Sequence, residues 1–330
     1  MSLLITGGCG FIGVNLIERL RKIFPAILVL DDLSVGRTEY LQAVVPELTV
    51  GNAAPGPRRK SKGVHLVRGD IRDNSILEAL MPGVQTVVHL AAHTNVINSI
   101  ANPVLDFAVN VQGTFNLLEV ARRHGVQRII FASSGAALGE QTPPVHEKQA
   151  PIPLSPYGAA KLFGEGYCSA YYHSYGLDTV ALRFSNVYGP RSHHKGSVIA
   201  HYCKQVLQGK PLAIHGDGEQ TRDFLYVEDL CEGIINCLDA NRKGAPGNVF
   251  QIATGKETKI VEVAERIMEL ARQSGRDTKI IYQPARRGEV VRNYARISKA
   301  KRLLGFRPRM RLREGIKVTW DWFRQNYPAS

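Results

Sequence analysis

The first 185 residues alternate short apolar runs with amphipathic stretches. Residues 3–5, 26–30, 64–67, 86–90, 128–132 and 179–182 are nearly continuous apolar segments. Runs of this length, without alternation, read as strands buried on both faces. Between them, apolar residues at helical spacing, such as Leu16, Ile17 and Leu20, predict helices. Strands alternating with helices imply βαβ units and a parallel sheet. The predicted fold class is α/β, a Rossmann-type doubly wound parallel sheet. Ligands of such sheets lie outside the carboxyl ends of the strands. Chemistry is therefore to be sought at Asp31-Asp32, Gly69-Asp70, Ala91-Ala92, Ser133-Ser134 and Ser185-Asn186.

After Tyr188-Gly189-Pro190 the elements become shorter and the rhythm is lost. We expect a sheet domain over residues 1–185 and a smaller C-terminal α/β substrate domain over 186–330. The strand-like Asn248-Val249-Phe250-Gln251-Ile252-Ala253 suggests that 223–253 returns to the large sheet. Residues 42–63 read as a Gly/Pro/basic loop, ending in Pro57-Arg58-Arg59-Lys60-Ser61-Lys62-Gly63.

Composition narrows the function classes. Of 330 residues, 44% are hydrophobic and 22% charged, the profile of a globular protein with a sizeable core. No apolar run approaches the roughly 18 residues of a membrane helix. The start Met-Ser-Leu-Leu-Ile-Thr lacks the basic region of a signal peptide, so a cytoplasmic setting is expected. Five cysteines without a C-x-x-C pair argue against a disulfide framework and a zinc site. His193-His194 has no carboxylate or cysteine at ligand spacing, so no metal is expected. The net charge of +13 favours an anionic partner. The basic segments lack the interleaved aromatics of a single-strand binder, which points to a diphosphate-bearing substrate rather than nucleic acid.

Gly7, Gly10 and Gly13 stand between a predicted strand and a predicted helix. That spacing allows a tight turn, close approach of backbone to a pyrophosphate, and close helix–strand packing. Asp31 follows roughly 20 residues on, where a carboxylate meets the adenosine ribose. It favours NAD, because it repels a 2′-phosphate, although Arg37 nearby keeps NADP open. Asp70 is placed either to meet the adenine edge or to cap a turn. Tyr157 and Lys161, at i and i+4, share one helical face. A nearby ammonium is expected to lower the phenol pKa and make Tyr157 a usable base. Ser133-Ser134 offers hydroxyls at the end of the preceding strand.

As a set, the segments TGGCGFIG (6–13), DDLSVGR (31–37), GDIRD (69–73), VVHLAA (87–92), NVQGTFNLLE (110–119), SPYGAAK (155–161), RFSNVYGPR (183–191), GDGEQTRDFLYVED (216–229) and RRGE (286–289) are highly specific. Through them the chain resembles the extended short-chain dehydrogenase/reductases, within the NAD-dependent sugar epimerase/dehydratase family, and most of all the UDP-glucose 4-epimerases. The resemblance runs nearly end to end. It implies Tyr157 as base, Lys161 as its tuning partner and ribose ligand, and Ser134 as the group orienting substrate O4. It implies an NAD site framed by Gly7, Gly10, Phe11, Ile12, Asp31, Asp70, Ile71, Ala91, Ser133 and Lys161. It implies substrate contacts from Ser134, Asn186, Arg222, Arg286 and Glu289, with the arginines on the diphosphate and Glu289 on the nucleotide ribose. Arginine forks suit phosphate oxygens on geometric grounds as well.

Family dehydratases carry an acid/base pair, often Asp-Glu, directly after the Ser/Thr. Here Gly135-Ala136 stands. This favours C4 epimerisation through a 4-keto sugar, with a dehydratase or other 4-keto-forming enzyme as the alternative and a non-enzymatic NAD- or RNA-binding relative behind both. Two departures bear on the substrate. Gly135-Ala136-Ala137-Leu138-Gly139 replaces the usual Ala-x-Val-Tyr-Gly, and Asn293 falls where epimerases carry a residue limiting the C2 substituent. The resemblance further implies a UDP-sugar substrate and a homodimer through a four-helix bundle. Phe115, Leu118, Leu162 and Tyr171 would serve either that interface or the core.

Overall fold

The computed structural model describes residues 3–51, 62–239, 245–285 and 290–327. Strands β1 (Leu3–Thr6), β2 (Ala26–Asp31), β3 (Thr49–Gly51), β4 (Gly63–Arg68), β5 (Thr86–His89), β6 (Arg128–Ser134) and β7 (Asp178–Phe184) join the strand Asn248–Ile252 in one eight-stranded sheet. The order is Asn248–Ile252, β7, β6, β5, β1, β2, β4, β3. Every pairing from β3 across to β6 is parallel. The β3 strand is a difference from the loop expected over 42–63. Its Val50 pairs with Leu66 and covers the edge that β4 would otherwise leave open. The remaining expectation, the basic run 57–63, lies almost wholly outside the described residues.

The winding reverses between β1 and β5. From β1 the chain steps outward through β2, then returns to β5 on the other side. Thr6 is registered against both Leu30 and His89. The loops following β1, β2 and β5 therefore leave the sheet at one edge, at the switch point where such folds bind ligands.

The chain divides into two compact units. The first comprises Met1–Gly139, Ala150–Arg183 and Ile234–Phe250. Its core packs Leu4, Leu28, Val87, Ile129 and Phe131 of the sheet with Leu117 and Leu118 of the helix Gly113–Arg123 and Tyr171 of the helix Pro156–Tyr175. The Pro156–Tyr175 helix has clear local causes. Ser155 caps it by accepting the Gly158 N–H at 3.1 Å, Pro156 occupies the first turn, and Gly176 ends it in the left-handed region at φ 70°. The second unit comprises Glu140–Gln149, Phe184–Gly233 and Gln251–Ser330. In it, Asn186–Tyr188 pairs with Phe224–Tyr226 and Leu212–His215 with Ile280–Gln283. Ile199, Ile214, Ile267, Ile316, Trp320 and Phe323 are among its buried residues.

Arg128 is the polar fastener of the first unit. It opens β6 yet is buried, forks onto Asp178 of β7, and donates to the carbonyls of Cys237 and Asp239 at 2.9 and 2.8 Å. Arg128→Ala would leave Asp178 and both carbonyls without this donor. Breaking such a buried pair costs about 3–5 kcal/mol. A urea midpoint within experimental error of wild type would contradict this assignment.

Candidate active site at the carboxyl edge of the sheet

The loop after β1 is shaped for a dinucleotide. Gly7 has φ 71°, and a Cβ there would stand 2.6 Å from the Ala91 backbone nitrogen at the end of β5. Only glycine allows the two loops to approach this closely. A Cβ on Gly13 would meet the Gly7 carbonyl at 2.5 Å, so the helix Phe11–Leu20 starts hard against the loop. Gly10 differs: its Cβ would meet only the Gly7 carbonyl, at 3.3 Å, and the space beyond is open. Gly10 is the N-cap of this helix, no side chain caps the first turn, and no acidic residue lies in it. A bare helix start with uncapped N–H groups and an open approach suits phosphate oxygens. The donor set fits the pyrophosphate of NAD.

Of the other expected cofactor residues, Asp31 ends β2, Asp70 and Ile71 follow β4, Ala91 follows β5, and Ser133 lies at the end of β6. Asp31 is buried, and its two oxygens accept the Cys9 and Leu33 N–H groups at 2.8 and 2.9 Å. It thus braces the glycine loop and the next turn together, and burial raises its pKa. Asp70 is held by Arg72, whose Nε and Nη2 both reach its carboxylate, and this pair lowers its pKa. Phe11 and Ile71 are buried, Ile12 is half-buried, and Ala91 donates its N–H to Thr6 at 3.2 Å. Ser133 is turned inward: its hydroxyl donates to Glu165 at 2.5 Å.

Tyr157 and Lys161 sit on the first turns of Pro156–Tyr175, and Ser134 ends β6. Lys161 is 4% exposed; its ammonium donates to the Ala132 carbonyl at 2.8 Å and lies 5.9 Å from the centre of the Tyr157 ring. The expected lowering of the Tyr157 pKa by Lys161 is not what dominates. Burial pushes the phenol up to about 12, the hydrogen bond with Ser134 opposes that rise, and Asp106 adds to it. The physical reason is that desolvation penalises a phenolate more than a cation beyond hydrogen-bond range can repay. Burial likewise pulls Lys161 down to about 8, against the charges of Asp106 and Glu165.

Several groups of this site lie inside the quoted motifs but carry no role in the sequence reading. His89 lies between Thr6, 2.7 Å from Nδ1, and Thr114, 3.0 Å from Nε2. Thr114 donates onward to the Asn110 carbonyl at 2.7 Å, so its oxygen accepts from Nε2–H, and Thr6 donates to Nδ1. The ring is neutral, its pKa lowered to about 3 by burial. Asn110 pins the loop after β5 through both backbone groups of His93. The signal available for them was their place in VVHLAA (87–92) and NVQGTFNLLE (110–119), together with a histidine inside an apolar strand.

In the second unit, Asn186 is registered against Phe224, two residues from Arg222. Arg222 donates to the carbonyls of Thr221 and Val290 at 2.8 and 2.7 Å. Glu257 forks with Arg292, also accepts from Thr221, and has its pKa held down at about 2. Arg286 and Glu289 lie outside the described residues. His193 stacks on Trp322, with ring centres 5.4 Å apart. Among the described residues no group of three His, Cys, Asp or Glu could hold a metal ion, and all five cysteines are buried, none of them in a disulfide. No helix among them is long and apolar enough to cross a membrane.

The chain is similar over nearly its whole length to known nucleotide-sugar enzymes. A UDP-glucose 4-epimerase of Mycolicibacterium smegmatis is 34% identical over 98% of this chain and 99% of its own. A dTDP-glucose 4,6-dehydratase of Actinoplanes is 33% identical over 99% of this chain and 98% of its own. The crystal structure of a UDP-glucose 4-epimerase from Thermotoga maritima, with UDP-glucose, superimposes with a TM-score of 0.87, covering 99% of this chain and 100% of that one at 32% identity. Residues 3–253 match the model of the NAD dependent epimerase/dehydratase family. The chain therefore belongs to this NAD-dependent enzyme family.

Proposed function

We propose that the protein interconverts the C4 epimers of a UDP-hexose, glucose and galactose or their N-acetyl forms. The observation that carries this reading is the company of Ser134. It shares a hydrogen bond with the buried Tyr157, and the residues that follow it are Gly135 and Ala136, where dehydratases place their acid/base pair. Elimination of water needs such a pair, whereas inversion at C4 does not. The family's dehydratases make elimination the second reading, and no side chain directly after Ser134 favours it.

The residues divide the work as follows. Gly7, Gly10 and the first turn of Phe11–Leu20 hold the pyrophosphate of NAD, and Asp31 the adenosine ribose. NAD, when bound, supplies the hydride acceptor and donor for C4. Tyr157 takes the proton from substrate O4 and returns it after the 4-keto sugar has turned over. Ser134 orients O4, and Lys161 keeps a positive charge beside the phenolate. Asn186, Arg222 and Arg286 bind the diphosphate and Glu289 the nucleotide ribose. Asn293, smaller than tyrosine, leaves room for an N-acetyl group at C2.

The reading includes a homodimer. Leu118 and Tyr171 are buried in the core of the first unit, but Phe115 and Tyr167 face outward, edge to face at 5.7 Å. Val104 and Phe107, 77% and 60% exposed, lie in the helical segments that lead into Gly113–Arg123 and add to the exposed apolar surface. A second copy related by a two-fold axis would cover it. Sedimentation should give a dimer, and Phe115→Asp with Tyr167→Asp should give a monomer. A wild-type monomer at micromolar concentration would remove this part of the proposal.

Tyr157→Phe should lower turnover by about a hundred- to ten-thousand-fold, the usual contribution of a positioned acid/base group, while NAD stays bound. Full activity in that variant would defeat the mechanism. With a panel of UDP-, dTDP-, GDP- and CDP-sugars, product mass should equal substrate mass and NMR should show inversion at C4. A product lighter by one water would establish the dehydratase reading instead. Failure with both UDP-N-acetylhexoses, beside turnover of UDP-glucose, would dismiss the role given to Asn293.

A further inference from the structure

Glu165 lies one turn beyond Lys161 on the same helix and has no part in the chemistry above. It is 4% exposed, and so is Arg183 of β7. The Glu165 Oε1 accepts from Arg183 Nε at 2.7 Å and from the Ser133 hydroxyl at 2.5 Å, and Oε2 accepts from Arg183 Nη2 at 2.6 Å. The third guanidinium nitrogen, Nη1, is buried with no hydrogen-bond partner among the described residues. As a source of stability this arrangement is poor. Desolvating a carboxylate and a guanidinium costs about what their attraction returns, and an apolar pair of similar volume often serves as well. Its location supplies another reason. It ties β7, the end of β6 and the long helix together at the residues adjoining Ser134 and Lys161.

We propose that the Glu165–Arg183 pair positions the reacting groups. Arg183 fixes the Glu165 carboxylate, and Glu165 holds the Ser133 hydroxyl. That hold sets the last residues of β6, which carry both Ser134 and the Ala132 carbonyl that receives the Lys161 ammonium. Neither member touches the reacting atoms, so both are positioning residues. This inference rests on Tyr157 being the proton-transferring group.

Charge adds to position. Lys161 is faced by Asp106 from the helix Pro103–Asp106, by Glu165 and Cys168 from its own helix, by neutral His89 from β5, and by the Phe131 ring of β6 at 5.0 Å. Tyr157 is faced by Ser134 and Asp106, with Lys161 beside its ring. Glu165 is thus one of two carboxylates that favour the protonated form of Lys161. Without it, the cation beside Tyr157 is held less firmly in both place and charge.

The test replaces the pair with apolar residues, Glu165→Leu with Arg183→Met, so that neither charge is left buried alone. Turnover and KM are followed across pH for the double variant beside wild type on the same sugar nucleotide. The double variant should unfold near the wild-type temperature, while kcat at neutral pH falls by about tenfold with KM unchanged. Because Glu165 favours the protonated form of Lys161, the alkaline limb of kcat should also move to lower pH. An unmoved kcat and an unmoved alkaline limb in a folded double variant overturn the proposal. If the double variant does not fold, Ser133→Ala decides: it cuts the link to β6 without baring a charge, and a lower kcat at unchanged KM supports the proposal while an unchanged kcat overturns it. Failure of the epimerase reading shows instead as a wild-type product of other mass or configuration, so the two failures are told apart.

Discussion

An ammonium buried on all sides must be compensated, and much of the polar architecture at the carboxyl edge of the sheet answers that requirement. Lys161 donates to the Ala132 carbonyl, lies over the Phe131 ring, and is faced by the carboxylates of Asp106 and Glu165. Those carboxylates are buried too, and each is tied down in turn. Asp106 accepts from Asn110 at 2.8 Å, and Glu165 accepts from Arg183 and Ser133. Isolated buried charges are too expensive to persist, so the groups that hold Lys161 charged are fixed one to the next. The result is a rigid set of side chains around Tyr157 rather than a lone Tyr–Lys pair.

The cofactor loop obeys a different constraint, that of contact between backbones. Gly7 against Ala91 brings the loops after β1 and β5 together at the point where the winding reverses. Two polar networks keep them there. Asp31 ties Cys9 to Leu33, and His89 bridges Thr6 to Thr114 with its neutral ring. Asn110 connects the second network to the first constraint, since it holds both His93 and Asp106. Cofactor loop and reacting groups thus share a support in the helical segment around residues 106–114.

The parallel sheet was legible because buried strands leave apolar runs, and the glycine loop was legible because close backbone approach demands particular residues. β3 was not: three residues pairing along an edge leave no periodic trace. The Tyr157–Lys161 spacing was plain, but the direction of the Tyr157 shift was not, since it depends on burial that no spacing reports. Glu165 could have been found by continuing the i, i+4 count one turn past Lys161. Its partner Arg183 could not, because the pairing of β7 with that helix face is purely tertiary. Asp70 shows the reverse limit: its position was expected, and its engagement by Arg72 was not.

The proton affinity of Tyr157 sets a condition on its use as a base. A phenol pushed up to about 12 takes a proton only after losing its own, so its phenolate needs positive charge close by, and Lys161 is the cation beside its ring. Removal of the O4 proton would open epimerisation and dehydration alike. Epimerisation at C4 requires that and no more, because substrate and product differ only in configuration and the proton and hydride both return. Dehydration must in addition deliver a proton to a leaving hydroxyl, which asks for a second acid. The sequence Ser134-Gly135-Ala136 supplies none at the customary position. The proposed epimerisation thus rests on that missing second acid, and not on the electrostatics of Tyr157.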